Sequence, residues 1–442
     1  IVQLADAPQI DMDLLYWSRH FRNMPGEGDL PVTDFMRAVA ATGYRGYLSL
    51  EIFNDQFRGG SPTAISADGH RSLVYLMDQV KRAEPAVAIN VPVMPDRAEV
   101  EEIAFVEFAV SDDDARQLEA LLEVLGFQAV ARHKSKAVTR FSQGGVNLIL
   151  NRDETGFASA SYLVHGANAY AIALMVDDAS AAMERAIALG AEAFQQPVVP
   201  GELAVPAIRG VGGGLLYFLD RKSDLGRLWD VDFEPLPGID ENPKNVGLTG
   251  FDHVAQTVKY DEMLTWLLFY TSQLKTRKTP MVDIIDPAGV VRSQVVENAS
   301  GSLRITLNGA ENRNTLAGHF IAETFGSGIQ HLAFRTGDIF ATAEALRRNG
   351  FVPLTISPNY YDDVEVRFGL DPALVDDLKR SNILYDRDEH GEYFQLYSPT
   401  YGEGFFFEIV ERRGYQGYGA ANAIFRIAAL RRYLRPDGMP ST

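Results

Sequence analysis

Three residues that lie far apart in the sequence have the side chains to bind one metal ion. His253 and His331 each lie in an apolar, strand-like segment, and Glu408 follows three phenylalanines in a third. Two imidazoles and one carboxylate form a facial triad that leaves metal positions open for substrate and oxygen, as in non-haem Fe(II) oxygenases. Inward-facing strand positions of a half-open sheet would point such side chains at one cavity. We therefore predict that these residues bind a divalent metal.

The surroundings of Glu408 support this prediction. Residues 405–410 read FFFEIV, and a carboxylate buried in such a segment is costly unless it is paired or bound to metal. The alternative for Glu408 is an ion pair with Arg412 or Arg335, and the alternative for each histidine is a core residue without a metal. Two histidines at equivalent positions of a repeat, together with a buried glutamate, favour the metal site.

The elements that must position these residues form an internal repeat. Four segments, which begin at residues 105, 170, 251 and 329, each start as a strand, turn at polar residues and continue as an amphipathic helix before returning as strands. A stretch rich in Pro, Gly and Asn at residues 235–247 separates the second copy from the third. The repeat is therefore two pairs, and the predicted fold class is α+β.

The first pair of copies lacks the three metal-binding side chains. Our alignment of the copies matches the two histidines with Glu107 and Ala171, and the place of Glu408 falls near Tyr217. These residue types cannot form the same triad. We therefore predict that the N-terminal pair is a degenerate half with a structural role.

Residues 1–84 have a different pattern, in which strands alternate with helices. We predict strands at residues 1–4, 17–21 and 47–53, and helices at residues 33–41, with Thr33 as the N-cap, and 70–82. This order indicates the end of a parallel α/β structure. The predicted organisation is an α/β region (1–84), a linker (85–102), the degenerate half (103–235), a second linker (236–249) and the metal-binding half (250–442), which ends in a helix at residues 420–434.

Composition excludes several classes of protein. The 442 residues carry a formal charge of -18 without clustered Lys and Arg, which argues against a nucleic-acid partner. The absence of cysteine excludes disulfides and thiolate-bound zinc. No apolar run is long enough for a membrane helix, so we expect a cytoplasmic protein that acts on a small molecule and forms a homo-oligomer. The chain begins abruptly at Ile1, within a predicted buried strand, so we expect that a longer protein has lost its N-terminal region from this sequence.

Several motifs of the C-terminal half resemble those of a known family. They read GIQHLAF at 328–334, PNYYD at 358–362, DRDE at 386–389 and QL at 395–396, followed by the Glu408 strand. With them, residues 103–430 resemble the 4-hydroxyphenylpyruvate dioxygenases of the vicinal-oxygen-chelate superfamily. The resemblance implies four βαβββ modules in two pairs, and the triad itself is compatible with Fe(II), Mg or Mn. It also implies roles for individual residues: His253, His331 and Glu408 as metal ligands, Ser293, Asn308 and Gln395 as substrate-pocket residues, and Gly419, Asn422 and Phe425 as members of a C-terminal gating helix.

The resemblance is weaker where the substrate should bind. That family has a Ser-Gln-Ile sequence upstream of the second histidine, whereas residues 315–317 read TLA. A glutamine that would contact an aromatic keto acid is therefore missing. The metal-binding residues of the family are therefore matched in this sequence, whereas the residues that bind its substrate are matched poorly.

The N-terminal region of the chain has a second set of motifs. They read VQLADAP at 2–8, SRHFR at 18–22, PGEGD at 25–29 and SLEIFN at 49–54. They resemble the last three strands of a sugar-isomerase-like (β/α)8 TIM barrel, and specifically the bacterial 3-dehydroshikimate dehydratases, in which such a barrel can be fused to a dioxygenase-like half. The resemblance implies removal of water from 3-dehydroshikimate to give protocatechuate.

The same resemblance assigns residues to a barrel site. Gln3 and Glu51 match the last two of four ligands that hold a divalent metal (Mg, Mn or Co), while Ser18, His20 and Arg22 match substrate contacts. Arg22 suits the substrate carboxylate, although a surface arginine is the alternative. The first two ligands are absent from this sequence, and three strands cannot close an eight-stranded barrel. We therefore expect no dehydratase activity from the 442-residue chain alone.

Three hypotheses follow for the function. The first is a 3-dehydroshikimate dehydratase fused to a dioxygenase-like metal domain, the second is a 4-hydroxyphenylpyruvate dioxygenase with an appended segment, and the third is a non-catalytic metal-binding domain for assembly or stability. The barrel motifs favour the first over the second. The histidines without a spaced partner are interpreted as surface or packing residues: His70, His133, His165, His319 and His390.

Overall fold

The structure is a computed structural model that describes residues 1–239 and 242–433. In the N-terminal region, a pair of parallel strands places Gln3 opposite Ser49, and helices pack beside them. The elements are β1 (Val2–Leu4), α1 (Leu14–His20), α2 (Val32–Ala41), β2 (Leu48–Leu50) and α3 (Pro62–Ala83). Residues 84–97 contain no helix or strand, as we predicted for most of the first linker.

The strand predicted at residues 17–21 is wrong, because most of this segment is the C-terminal end of helix α1. The Asp13 side chain accepts a hydrogen bond from the backbone N–H of Tyr16 and caps the helix. Tyr16 also stacks on His20, one turn later, with ring centroids 4.3 Å apart. Helix α2 begins at Val32 after Pro31, so Thr33 lies inside it and is not the N-cap. Residues 1–84 thus have two strands instead of the predicted three.

The N-terminal half of the repeat is one nine-stranded sheet with the helices at residues 112–124 and 179–188 packed on one face. The strand order is β11-β4-β5-β6-β3-β7-β10-β9-β8, and the first strands of its two modules, β3 and β7, pair antiparallel at the centre. The elements are β3 (Val100–Ala109), α4 (Asp112–Val124), β4 (Gln128–His133), β5 (Val138–Gln143), β6 (Val146–Asn151), α5 (Gly156–His165), β7 (Asn168–Val176), α6 (Ala179–Ala188), β8 (Ala193–Phe194), β9 (Ala207–Arg209), β10 (Leu215–Leu219), α7 (Leu228–Val231) and β11 (Phe233–Pro235).

The C-terminal half repeats this plan. Its strand order is β13-β15-β16-β12-β17-β20-β19-β18, with β14 also paired to β15. The elements are β12 (Leu248–Lys259), α8 (Met263–Gln273), β13 (Thr276–Lys278), β14 (Val282–Asp286), β15 (Gly289–Asn298), β16 (Arg304–Ala310), α9 (Leu316–Glu323), β17 (Gly328–Thr336), α10 (Ile339–Arg348), α11 (Pro358–Phe368), α12 (Pro372–Ser381), β18 (Leu384–Arg387), β19 (Glu392–Tyr397), β20 (Phe406–Arg413) and α13 (Ala423–Tyr433). The end of the predicted C-terminal helix, at residue 434, lies outside the described residues. The predicted α+β fold with four βαβββ modules in two pairs is confirmed.

Strand register corrects the alignment of the first copy. Ala255 lies opposite His331 in the C-terminal half, and Glu107 lies opposite Ala171 in the N-terminal half. Glu107 is therefore the equivalent of Ala255, and the equivalent of His253 is Phe105. The prediction was two residues off, although it placed Ala171 correctly.

The α/β region, the linker and both halves of the repeat meet at one buried cation. Arg185 of α6 is fully buried. Its guanidinium donates to the Asp78 carboxylate of α3 at 3.2 Å, to the carbonyl of Pro95 at 2.7 Å and to the carbonyl of Ser272 in α8 at 2.8 Å. Lys278 adds a second link, because its ammonium donates to backbone carbonyls of residues 27 and 28. All these regions therefore pack together. Among the described residues, no helix has the length and apolar character needed to cross a membrane.

Candidate metal centre

Register brings the three predicted metal ligands to one face of the C-terminal sheet. His253 of β12 lies opposite Ala333 of β17, and Ala333 lies opposite Glu408 of β20. His331 precedes Ala333 by two residues and so shares its face. Ala333, a fully buried residue, has only a methyl group, which leaves the space between the three larger side chains open.

The donor atoms form a nearly equilateral triangle. The Nε2 atoms of His253 and His331 are 3.2 Å apart, and they lie 3.4 and 3.5 Å from Oε2 of Glu408. All three residues are buried. One ion at about 2.0–2.2 Å from each atom, the usual bond length for these donors, fits such a triangle. The three residues could hold one metal ion.

A buried ion pair orients one of the imidazoles. Both oxygens of Asp252 are used: the carboxylate accepts from Nδ1 of His253 at 2.8 Å and from the guanidinium of Arg412 at 2.7 and 2.9 Å. When Nδ1 carries the proton, the lone pair of Nε2 lies on the side of Glu408 and is free to bind a metal. Burial alone would raise the pKa of Asp252, but the positive charge of Arg412 and the hydrogen bonds from His253 and Arg412 together hold that pKa well below its usual value.

The two imidazoles have opposite pKa shifts. Burial would lower the pKa of His253, but the carboxylates of Glu408 and Asp252 raise it to about 9. Burial lowers the pKa of His331 well below its usual value, and the positive charges of His253 and Arg426 add to the shift. Binding of a divalent cation requires both imidazoles in their deprotonated form.

The ion-pair alternative for Glu408 is contradicted. Arg412 pairs with Asp252, and Arg335 donates to the backbone carbonyl of Phe251. The sequence analysis considered Arg412 only as an alternative partner of Glu408, and it missed Asp252. The signal that could have found Asp252 is its position directly before a predicted metal ligand.

The predicted substrate-pocket residues lie beside the metal centre. Ser293 of β15 and Asn308 of β16 are direct partners across two strands, and the Ser293 hydroxyl and Asn308 Oδ1 are buried without a hydrogen-bond partner among the described residues. Gln395 of β19 donates to Oε1 of Glu408 at 2.9 Å. Two unsatisfied polar atoms next to the metal centre are consistent with a ligand pocket, and their roles remain predictions.

The C-terminal segment covers this pocket. Asn422, fully buried, donates to the side-chain oxygen of Gln395 at 2.8 Å and accepts from the Tyr360 hydroxyl at 3.0 Å. Phe425 packs edge-on against Tyr360 at 4.7 Å. Gly419 has a φ of +67°, and a Cβ atom there would lie 2.6 Å from the Gln395 amide. Glycine thus permits the close approach, and the placement agrees with the gating segment implied by the resemblance.

Some of the predicted barrel-site residues come together. Glu51 directly follows β2, and Gln3 lies on the neighbouring strand β1. Arg22 donates to the Glu51 carboxylate at 2.9 Å and through Nε to the carbonyl of Ser18 at 2.7 Å. Arg22 is half-buried, and its role in binding the substrate carboxylate remains a prediction.

The other two barrel-site residues have local partners. Nδ1 of His20 lies at hydrogen-bond distance, 2.9 Å, from the carboxylate of Asp55. The Ser18 hydroxyl donates to the carbonyl of Leu15 within α1. Contacts of Ser18 and His20 with substrate remain predictions.

Paired βαβββ modules around two histidines and one carboxylate define a vicinal-oxygen-chelate metal domain. Comparison with known proteins agrees. The family model described as the N-terminal domain of hydroxyphenylpyruvate dioxygenase matches residues 97–234. The 4-hydroxyphenylpyruvate dioxygenase of Pseudomonas aeruginosa is 36% identical over 321 residues, which are 72% of this chain and 90% of that protein.

Other relatives match the whole chain. The 3-dehydroshikimate dehydratase of Pseudomonas aeruginosa is 40% identical over 436 residues, which are 97% of this chain and 68% of that protein. A solved structure described as a xylose isomerase-like TIM barrel/4-hydroxyphenylpyruvate dioxygenase fusion protein is 38% identical with a TM-score of 0.85, covering 98% of this chain and 69% of that one. The chain belongs to the family of bacterial 3-dehydroshikimate dehydratases whose barrel is fused to a hydroxyphenylpyruvate-dioxygenase-like domain, which confirms both predicted resemblances.

Proposed function

We propose that this protein removes water from 3-dehydroshikimate in its barrel domain and that its C-terminal half holds a second divalent metal. One observation carries the first statement. The dehydratases match 97% of the chain, whereas the dioxygenase matches 72%. The additional likeness includes the α/β region that carries Glu51 and Arg22, which favours a barrel chemistry over a dioxygenase alone.

The barrel residues suit a carboxylate-bearing ketone. A divalent metal (Mg, Mn or Co) bound by Gln3 and Glu51 would polarise the substrate ketone and stabilise an enolate. Arg22 binds the substrate carboxylate, because its planar guanidinium can contact two oxygens and already binds one carboxylate, that of Glu51. His20 is oriented by Asp55 and contacts the substrate from helix α1, together with Ser18.

The test is a dehydration assay with protein in which β1 and β2 belong to a complete eight-stranded barrel. Formation of protocatechuate from 3-dehydroshikimate is followed by absorbance with Mg, Mn or Co present. Glu51→Gln should abolish activity, and Arg22→Gln should raise KM more than it lowers kcat, because it removes a contact to a non-reacting carboxylate. Asp34→Asn, at an exposed ion pair with Arg37, is the matched control. Full activity of Glu51→Gln contradicts the proposal.

For the C-terminal half, Fe(II), Mg and Mn all suit the donor set. The unsatisfied atoms of Ser293 and Asn308 favour a second candidate function, oxygenation of an aromatic keto acid. Against it stand residues 315–317, which cap and begin α9 and offer no glutamine to the keto acid. We therefore propose a metal centre that does not oxidise 4-hydroxyphenylpyruvate.

Metal analysis and oxygen uptake separate these candidates. His331→Ala should lose one metal equivalent per chain while its dehydration rate is retained, since the imidazole belongs to a different site from Glu51. Oxygen uptake by the wild-type protein with Fe(II) and 4-hydroxyphenylpyruvate should be no higher than the uptake by His331→Ala. Uptake that depends on His331 would instead establish the dioxygenase function, and loss of assembly in His331→Ala would support a structural metal.

A further inference from the structure

The N-terminal half encloses a cavity of about 760 Å³. At the positions of the three metal-binding residues it has Phe105, Ala171 and Tyr217, so the cavity is not a second metal centre. Small-molecule pockets have volumes of about 300–1,000 Å³, whereas a half with only a structural role would fill its interior with side chains at normal packing density. The volume is that of a ligand site.

Buried polar groups form one wall of this cavity. Glu107, which is 9% exposed, accepts a hydrogen bond from the Asn151 amide at 2.9 Å, and the same amide contacts the Tyr170 hydroxyl at 3.3 Å. Among the described residues, none forms an ion pair with Glu107, and none hydrogen bonds to the hydroxyl of Tyr217, which is 7% exposed. Glu107 keeps its hydrogen bond from Asn151, and the Tyr217 hydroxyl is available to a hydroxyl group of a ligand in the cavity.

Burial affects the titrating groups of this wall. It raises the pKa of Glu107, an effect that the hydrogen bonds from Tyr170 and Asn151 and the charge of Lys136 reduce. Burial and the nearby Glu107 raise the pKa of Tyr217 well above its usual value. The Glu107 carboxyl group and the Tyr217 hydroxyl are the hydrogen-bond partners that this wall offers to a ligand.

Aromatic side chains form the other walls. Trp229 packs edge-on against Phe105 at 5.6 Å and Phe233 at 5.2 Å. Arg140 stacks on the face of Trp229 at 4.1 Å. Rings held in this way cannot turn freely, and they form a surface on which a flat, apolar ring can pack. Phe157 adds a further aromatic ring to the lining.

A cation also lines the cavity. The Lys136 ammonium lies 2.9 Å from the Glu202 carboxylate and acts on Glu107 through its charge. His133 lies 3.9 Å from the same carboxylate, and its side chain is buried, so it is a packing residue and not a surface one. A ligand carboxylate would therefore share Lys136 with Glu202, in a lining that also contains Asp153 and Asp232.

We propose that the cavity binds a small phenolic carboxylic acid. Its ring packs against Trp229, its hydroxyl groups bond to Glu107 and Tyr217, and its carboxylate faces Lys136. A polyol without an aromatic ring would leave the aromatic walls unused, and an aromatic acid without hydroxyl groups would leave the polar wall unsatisfied. The proposal does not depend on the barrel activity.

Calorimetric titration tests the proposal in the Glu51→Gln, His331→Ala background, so that the barrel and the C-terminal metal centre do not contribute. Protocatechuate is the probe, benzoate lacks its hydroxyl groups, and quinate lacks its aromatic ring. Protocatechuate should bind once per chain, and at least tenfold more tightly than either comparison compound. Tyr217→Phe should raise its Kd about tenfold, because one buried hydrogen bond is lost.

The controls make the result decisive. Tyr162→Phe removes a hydroxyl that bonds to Asp114 outside the cavity, and it should leave Kd unchanged. Tyr217→Phe keeps its ring and hence the packing, so a change in Kd reports the loss of the hydroxyl and not a loss of folding. The proposal is overturned by the absence of saturable binding at millimolar protocatechuate, by equal affinity for benzoate, or by a Kd that Tyr217→Phe does not change.

Discussion

Asp252→Asn tests how the metal centre is held together. The carboxylate is fully buried and accepts three hydrogen bonds, one from His253 and two from Arg412. Asparagine keeps one side-chain oxygen as an acceptor. Its amide NH2 replaces the other oxygen and would face the N–H groups of His253 or Arg412, to which it cannot hydrogen bond. Removing one partner of a buried ion pair costs about 3–5 kcal/mol. Arg412 retains the Gly417 carbonyl and the face of Tyr393 at 4.5 Å, so we expect the lower end, about 3 kcal/mol.

The same substitution should weaken metal binding. Loss of the carboxylate that orients His253 lowers metal affinity by about 10–100-fold in comparable sites. Urea unfolding gives the stability of the metal-free protein, and titration with Mn or Fe(II) gives the affinity. Asp363→Asn, at an exposed ion pair with Arg367, should change neither quantity. Wild-type metal affinity in Asp252→Asn would refute the orienting role, and unchanged stability would refute the ion-pair argument.

Two further predictions concern buried groups elsewhere. Burial and the neighbouring Asp68 raise the pKa of Glu27 well above its usual value. The contribution of the protonated Glu27 to folding stability is fully present below its unfolded-state pKa, and it is lost as pH rises through its folded-state pKa. Glu27→Gln should therefore gain stability relative to wild type as the pH of urea unfolding rises above the unfolded pKa, whereas a pH-independent difference would contradict the shift. Gly212 has a φ of +64°, and a Cβ atom there would lie 1.8 Å from the carbonyl oxygen of Ser327. Gly212→Ala should thus lower the unfolding midpoint more than Gly213→Ala, whose φ is +77° with open space around it; equal midpoints would rule out the clash.

The metal centre could be predicted because its signals are local. Apolar strands containing His253, His331 and Glu408 are visible in the sequence, and alternation assigns their faces. Alternation also explains the error in the first copy, since Phe105 and Glu107 share a face and the pattern is unchanged by a slip of two residues. Only the paired register, with its bulges, distinguishes the two.

Other features depend on contacts that no local pattern contains. Asp252 and Arg412 meet because β12, β17 and β20 are neighbours in the sheet, although the residues are far apart in sequence. Helix α1 was mistaken for a strand because its bulky aromatic residues have high strand propensity. The cap at Asp13 and the stacking of Tyr16 on His20 outweigh that propensity.

The position of Arg185 limits how the two domains of such a fusion can be separated or exchanged. Its charge is neutralised by Asp78 from before the linker and solvated by carbonyls of Pro95 and Ser272 from within and after it. A fragment that begins after the linker would retain the guanidinium without its counter-ion and without the Pro95 carbonyl. Swapping the barrel domain for one from a distant relative would therefore require an acidic residue at the place of Asp78 to keep this cation paired. Recombination at the linker alone is thus not neutral for stability.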